Sequence, residues 1–308
     1  MKRCIILIAA ALLTTACGGP LPPVDPPNLS GAKDALSRGN YWYERGCFLE
    51  AEKFFQEGLG AARLSDDVLL MVRAQNSMGT AALARGDLGL AAGLLEQALD
   101  MSTATSDEPE LDKIMGNLGS LAFKAGQAAD AEEFWLNAVQ LAEGKGASPA
   151  IHLCNLARLY LNQGRPEFPA LSARALAAAQ AGADLTAKAD AYNLAGHAAL
   201  NAGDEAQADT YFQQALEMDR KTENTIGLAQ DTESLGRLRQ RQNQLQEAAG
   251  FLDRSFFLWA AAGDHVSRDR VYALLKELSR SAGFPKKMTP YDQARKHPSD
   301  FSLSSQCP

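Results

Sequence analysis

The chain has 308 residues, 46% of them hydrophobic and 7% aromatic, and its 30 Lys and Arg against 37 Asp and Glu leave a formal charge of −7. An acidic body without a basic tract lacks the electrostatic footprint of a nucleic-acid binder. An aromatic-poor composition in which alanine supplies much of the apolar content suits closely packed helices and argues against a β-rich fold.

At the N-terminus Lys2 and Arg3 precede an apolar run from Cys4 to Leu13 that is too short to span a bilayer, and Thr14, Thr15 and Ala16 lead into Cys17. The segment resembles a bacterial lipoprotein signal. That resemblance implies cleavage before Cys17, a diacylglycerol on its sulfur and, with Gly18 rather than Asp after the cysteine, transfer to the outer membrane facing the periplasm. Threonine stands three places before Cys17 where such signals usually have leucine, and the alternative is an ordinary secretory signal cut near Ala16. Residues 1–16 are thus expected as signal peptide and 17–31 as a lipidated cysteine with a proline-rich tether. The paired prolines between Gly18 and Pro27 predict an extended, semi-rigid stretch of roughly 3 Å per residue rather than a helix. Loss of Lys2 and Arg3 takes the formal charge from −7 to −9, and Cys47, Cys154 and Cys307 remain, an odd number that cannot all pair. Cys154 reads as a buried small hydrophobe, Cys47 and Cys307 as exposed, with a disulfide between those two as the alternative.

From residue 32 onward a small residue is followed seven places later by a turn residue and twelve places later by another small one. The anchors are Gly39/Gly46/Ala51, Gly79/Gly86/Ala91, Gly119/Gly126/Ala131, Ala157/Gly164/Pro169, Gly196/Gly203/Ala208 and Gly236/Asn243/Ala248. First anchors are spaced by 40, 40, 38, 39 and 40 residues, a regularity that unrelated helices do not keep. Small residues suit the close crossing of two antiparallel helices. Four places past the second anchor comes a bulky residue (Phe55, Leu95, Trp135, Phe212, Leu252), and three further a small one, which marks the buried stripe of each second helix.

This pattern resembles the tetratricopeptide repeat, in a longer-helix form with a period near 40 residues. The resemblance covers residues 32–282 and implies an all-α, right-handed superhelical solenoid of about six helix-turn-helix units. The fourth unit departs from the pattern: Pro166 and Pro169 delay its second helix, Pro169 stands at the small anchor and Ala173 at the bulky position. Both a hinge and a slightly shorter, normally packed helix fit that sequence. Residues 266–282, with Val271, Leu274, Leu275 and Leu278, are expected as a capping helix over Phe251, Leu252, Phe256, Phe257 and Trp259. Residues 283–308 are expected to be mostly disordered, with Thr289 and Pro290 able to start one short helix.

The four histidines are scattered, without metal-ligand spacing, and no nucleophile elbow, phosphate loop or zinc-protease helix occurs. The chain is therefore expected to be no enzyme and to carry no metal or cofactor. In tetratricopeptide proteins the first helices line a concave groove. The resemblance implies as groove residues Lys33, Asn40, Tyr43, Arg73, Asn76, Thr80, Lys113, Ser120, Phe123, Arg158, Asn193, His197 and Arg237, beside Leu36, Leu83, Cys154, Leu161, Asp190, Leu200, Gln230 and Glu233. The family's carboxylate clamp is matched only by Asn40 and Lys113; Leu36, Ser77 and Asn117 stand where Lys, Asn and Arg are usual. The expected function is a membrane-anchored scaffold or adaptor of the bacterial envelope, similar to pilotins or cell-wall hydrolase adaptors, that binds a protein or peptide in its groove and no nucleic acid. A competing reading is a homo-oligomeric spacer, self-associating through Tyr41, Trp42, Phe54 and Phe55 or Phe256, Phe257 and Trp259.

Overall fold

The computed structural model describes residues 26–106, 108, 110–282 and 287–297. The expected signal peptide, Cys17, most of the tether and Cys307 lie outside the described residues. Six hairpins follow one another: α1 (Pro27–Glu44) with α2 (Phe48–Leu64), α3 (Val68–Ala84) with α4 (Leu88–Thr103), and α5 (Leu111–Lys124) with α6 (Ala128–Gly144). They continue as α7 (Ala150–Gln163) with α8 (Phe168–Ala181), α9 (Leu185–Asn201) with α10 (Glu205–Thr222), and α11 (Thr225–Arg241) with α12 (Leu245–Ala261). α13 (His265–Ala282) and the short α14 (Thr289–Lys296) end the array. No strand occurs among the described residues, and none of their helices is long and apolar enough to cross a membrane. The architecture is an all-α solenoid of helical hairpins, as expected.

The interlock inside each hairpin is steric. In five of the six, the glycine anchor faces the bulky side chain sixteen residues on: Gly39 with Phe55, Gly79 with Leu95, Gly119 with Trp135, Gly196 with Phe212 and Gly236 with Leu252. A Cβ on Gly79, Gly119 or Gly236 would lie 2.8, 2.6 or 2.7 Å from the facing side chain, well inside the separation at which packed heavy atoms attract. The bulky residues are in turn at most 3% exposed. The hairpin turns pass through the left-handed region at Gly86 (φ 83°) and equally at Asn243 (φ 60°), the non-glycine that tolerates it best. Aspartates cap several helices, with Asp67, Asp87, Asp184 and Asp204 each accepting from backbone N–H groups of the first turn.

Three expectations are corrected by the structure. α1 begins at Pro27, five residues before residue 32 and inside the stretch expected to be extended, because a proline in the first helical turn has no N–H to leave unbonded and its φ already suits a helix. In the fourth hairpin α8 starts late, as expected, four residues after Gly164 where the other second helices start two residues after their turn residue, but its register is not the expected one. Its buried face is Phe168, Ser172, Ala175 and Ala179, one residue earlier than Pro169 and Ala173, both of which are exposed. Burying the Phe168 ring excludes more apolar surface from water than burying Pro169, and that decides the register. The irregular turn is also tied down: Arg165 lies over the Tyr160 ring at 3.7 Å, and both bond Glu132 of α6, at 2.8 and 2.6 Å. Third, Cys47 is buried and disulfide-bonded rather than exposed, since it sits where the chain enters α2; Cys154 is the free cysteine among the described residues and is fully buried.

The end of the array is more regular than its sequence suggested. Leu275 of α13 follows Leu235 by 40 residues and is fully buried, so α13 occupies the place of a seventh first helix. α14 lies within the segment expected to be mostly disordered, yet it buries Tyr291 and Ala294 against Phe256 and Phe257, and Tyr291 Oη donates to Asp253 at 2.6 Å. At the other end, Arg45 in the first hairpin turn bonds Glu223 at the α10–α11 junction, which brings residues 178 apart in sequence together.

Gly119→Ala should cost about 1–3 kcal/mol, because the added carbon drives Trp135 out of place. Gly93→Ala, on α4 with open space around it, should instead gain up to about 1 kcal/mol from helix propensity. Urea unfolding of the two variants beside the parent checks the contrast.

Candidate functional site: the inner face of the first helices

Four rows of side chains run across the stacked first helices, one residue per unit. The row three places before each anchor, Leu36, Asn76, Gly116, Cys154, Asn193 and Glu233, is buried throughout. It packs between neighbouring first helices instead of lining the groove. The row six places before the anchor stays open at Lys33, Arg73, Lys113 and Ile151 and half-buried at Asp190 and Gln230. The row one place after the anchor is open at Asn40 and half-buried at Thr80, Ser120, Arg158, His197 and Arg237. Behind it Tyr43, Phe123, Leu161 and Leu200 are half-buried and Leu83 is buried. Of the residues expected in the groove, Leu36, Asn76, Leu83, Cys154, Asn193 and Glu233 are buried, and the others named are half-buried or exposed.

The buried row is stitched to the next unit by a repeated motif. Asn117 donates to Asn76 Oδ1 at 2.8 Å and to Thr80 Oγ1 at 3.0 Å. Three units on, Asn193 donates to Ser234 Oγ at 3.2 Å, and Ser234 also bonds His197 Nε2 at 3.2 Å. In both cases the residues three before and one after an anchor meet the residue two before the next anchor. Buried amides and hydroxyls are costly when unpaired, so this seam holds adjacent units at one offset. His197 stacks edge-on to Phe212 at 5.1 Å, and burial together with Arg158 and Arg237 holds its pKa down at about 4. It is neutral at physiological pH and acts as a seam residue, not a cationic one.

Arg73, Lys113, Arg158 and Arg237 of the inner face have intramolecular carboxylates. Glu110, at φ 61° before α5, bonds Arg73 at 2.8 Å and Lys113 at 2.6 Å. Glu233 bonds Arg237 at 2.9 Å and, across to α13, Arg270 at 2.8 Å. Burial alone would raise both carboxyls, but the paired cations outweigh it and hold both below the ordinary carboxylate range. Each triad sets two exposed cations over one side chain that is only 9% exposed, a net positive charge turned toward the groove. Arg158 differs: it is spent between Asp190 at 2.6 Å and Gln230 at 2.9 Å.

Glu110, Asn117, Ser234 and Arg270 are the residues that sequence reasoning missed. Arg270 was findable, because it lies 40 residues after Gln230 in the row of Arg73 and Lys113. Glu110 was not, since its place depends on the left-handed turn before α5. Among the described residues no group of three or more His, Cys, Asp or Glu could hold a metal ion. The aromatic ends considered for self-association are largely consumed inside the fold, with Phe55 at 1%, Phe256 at 0% and Trp259 at 3% exposure, while Tyr41 remains exposed.

Residues 189–222, most of α9 with α10, match the family model of the tetratricopeptide repeat. No curated protein sequence matches the chain. Solved structures with the same fold include aspartyl phosphate phosphatase F from Bacillus subtilis (17% identity, TM-score 0.60, covering 86% of this chain and 71% of that one). A Rap protein complexed with competence and sporulation factor is similar over 88% of this chain and 95% of its own (13% identity, TM-score 0.54). So is BtubC (BKLC) from P. vanneervenii, over 78% and 94% (18% identity, TM-score 0.50). The chain carries a tetratricopeptide repeat within a tetratricopeptide-like helical solenoid.

Glu233→Ala should destabilise the protein by about 1–3 kcal/mol, since it strips two arginines of their carboxylate. The stabilisation from Glu110 and Glu233 is present above their ordinary range near pH 4.5 and is lost as pH falls through their lowered folded values. Acid unfolding followed by circular dichroism should accordingly show a shallower acid limb in Glu110→Gln/Glu233→Gln.

Proposed function

We propose that the protein is a lipid-anchored interaction scaffold or adaptor of the bacterial envelope that holds an extended segment of a protein partner along its inner face. The observation that carries this reading is the unit-spaced pair of rows: Lys33, Arg73 and Lys113 beside Asn40, Thr80 and Ser120, with Tyr43, Leu83 and Phe123 behind them. The Asn40 amide and the cations suit a peptide's carbonyls and carboxylates, the Thr80 and Ser120 hydroxyls, which donate to the Asn76 and Gly116 carbonyls, can accept from its N–H groups, and the half-buried Tyr43 and Phe123 rings take side chains. Arg73 and Lys113 keep 45% and 58% of their side chains exposed while held by Glu110, so they are pre-positioned rather than floppy, which lowers the entropy lost on binding. The Rap structure supports the reading in one respect: in that protein a fold of this kind is seen with a bound partner. Anchoring rests on the N-terminal sequence, in which Cys17 follows a basic and then apolar segment and precedes a proline-rich stretch.

A photo-cross-linker at Ser120 should trap a discrete partner in cells, one at Leu136, exposed on a second helix, should not, and neutralising the triad (Arg73→Gln/Glu110→Gln/Lys113→Gln) should abolish the adduct. Equal capture at both positions, or an adduct indifferent to the triad, would sink the groove reading. Separately, metabolic labelling with a palmitate analogue should mark the wild-type chain and fail in Cys17→Ala; label retained in that variant rules the anchor out.

A further inference from the structure

We propose that the α10–α11 junction is a proton-controlled latch that closes the array against its own first hairpin. Asp219 at the end of α10 and Asp231 on α11 are 2% and 1% exposed and interact directly. Their other partners are neutral: Asn224 Nδ2 donates to Asp219 Oδ1 at 2.9 Å and Asn193 Nδ2 to Asp231 Oδ1 at 2.7 Å. Asp231 Oδ2 is buried and meets no donor among the described residues, which is where a shared proton completes the pair. Gly227 makes the arrangement fit, because any side chain there would collide with the Asp219 carboxyl.

The charges around the pair do not relieve it. From α9, Asp190 adds negative charge; from α7, Arg158 is positive but engaged with Asp190 and Gln230; His197 on the same face of α9 is neutral. Burial raises Asp219 to about 7 and Asp231 well above the usual range. Two carboxylates that cannot both ionise in a dry site share a proton.

The same junction carries the long-range contact. Asn224 bonds Asp219 through both its backbone N–H (3.0 Å) and its side chain, and caps α11 by accepting from Gly227 N–H at 3.2 Å. Between them Glu223 is held in the left-handed region, φ 55°, with its carboxylate on Arg45. Arg45 is fixed from its own side, 3.7 Å over the Tyr41 ring and 3.2 Å from the Tyr41 carbonyl. When the shared proton leaves, like charges push Asp219 on α10 and Asp231 on α11 apart; Asn224, which holds the ionised Asp219 at least as firmly, moves with α10 and releases Gly227 N–H at the start of α11, and Glu223 beside it withdraws from Arg45. The first and fifth units then separate and the inner face opens. That this opening admits a partner rests on the groove reading above; the latch itself does not.

The sign follows from the raised values. Because both values are raised, the folded pair keeps protons that the unfolded chain has released, so stability falls as pH rises above the usual aspartate range and goes on falling past about 7 until the shared proton leaves. For the full-length chain, the folding equilibrium constant should go on dropping by up to about tenfold per pH unit above about pH 7, where the folded pair holds its one shared proton. The radius of gyration from small-angle scattering should grow over the same window. Asp231→Asn, which keeps the Asn193 bond and removes the charge, should flatten both dependences and remain compact at the higher pH. Arg45→Glu should be expanded already at the lower pH, and Arg45→Glu/Glu223→Arg compact again. A wild-type radius constant across the window, or an Arg45→Glu chain as compact as its parent at the lower pH, overturns the latch. Either result leaves the groove reading standing, because neither measurement involves a ligand.

Discussion

The two helices of a hairpin cross here so closely that only a glycine admits the bulky side chain sixteen residues further on. Phe55, Leu95, Trp135, Phe212 and Leu252 each fill the space a Cβ would have taken. Because the same interlock recurs at nearly constant spacing, the hairpins are nearly the same shape and their first helices can stack at a repeating offset. The fourth hairpin tests the rule from the other side. It has Ala157 at the anchor and Ala173 sixteen residues on, so it lacks both halves of the interlock, and its second helix is free to take a different register set by Phe168.

Stacking at a fixed offset is what lets polar residues do the work between units. Asn76 and Thr80 meet Asn117, and Asn193 and His197 meet Ser234, through the same three positions of the repeat. A hydrophobic seam would tolerate sliding by a residue, whereas a seam of buried amides and hydroxyls does not, since any slip strands a donor or acceptor away from water. The same offset brings Arg73 and Lys113 onto Glu110, and Arg237 and Arg270 onto Glu233. The inner face is therefore a set of pre-positioned cations over buried carboxylates, a surface of fixed donors that suits an extended chain more than a compact ligand.

The α10–α11 junction stands apart because it combines three features. It buries two carboxyls against each other, it holds a glutamate in a left-handed conformation at a helix end, and it touches the first hairpin. Each is a local departure from easy folding, and departures of this kind concentrate where a structure has something to switch.

The hairpins, their turns and their buried stripes were legible in the sequence because each depends on spacing along one or two adjacent helices: Gly79 to Gly86 to Ala91 to Leu95 describes a hairpin completely. The start of α1 at Pro27 and the register of α8 were misread because a proline's place within the first turn cannot be told from its presence. The groove was legible as rows but not as chemistry. Which row is buried between units, that Arg158 is spent on Asp190 and Gln230, and that Glu110 reaches Arg73 all depend on contacts between residues roughly one repeat or more apart. The sequence by itself determined the repeating unit, since helix period and steric fit act within a few turns of chain. Only the tertiary structure decided which charges are free and that Arg45 reaches Glu223, because those pairings follow from the accumulated rotation of stacked hairpins and leave no spacing in the chain to read.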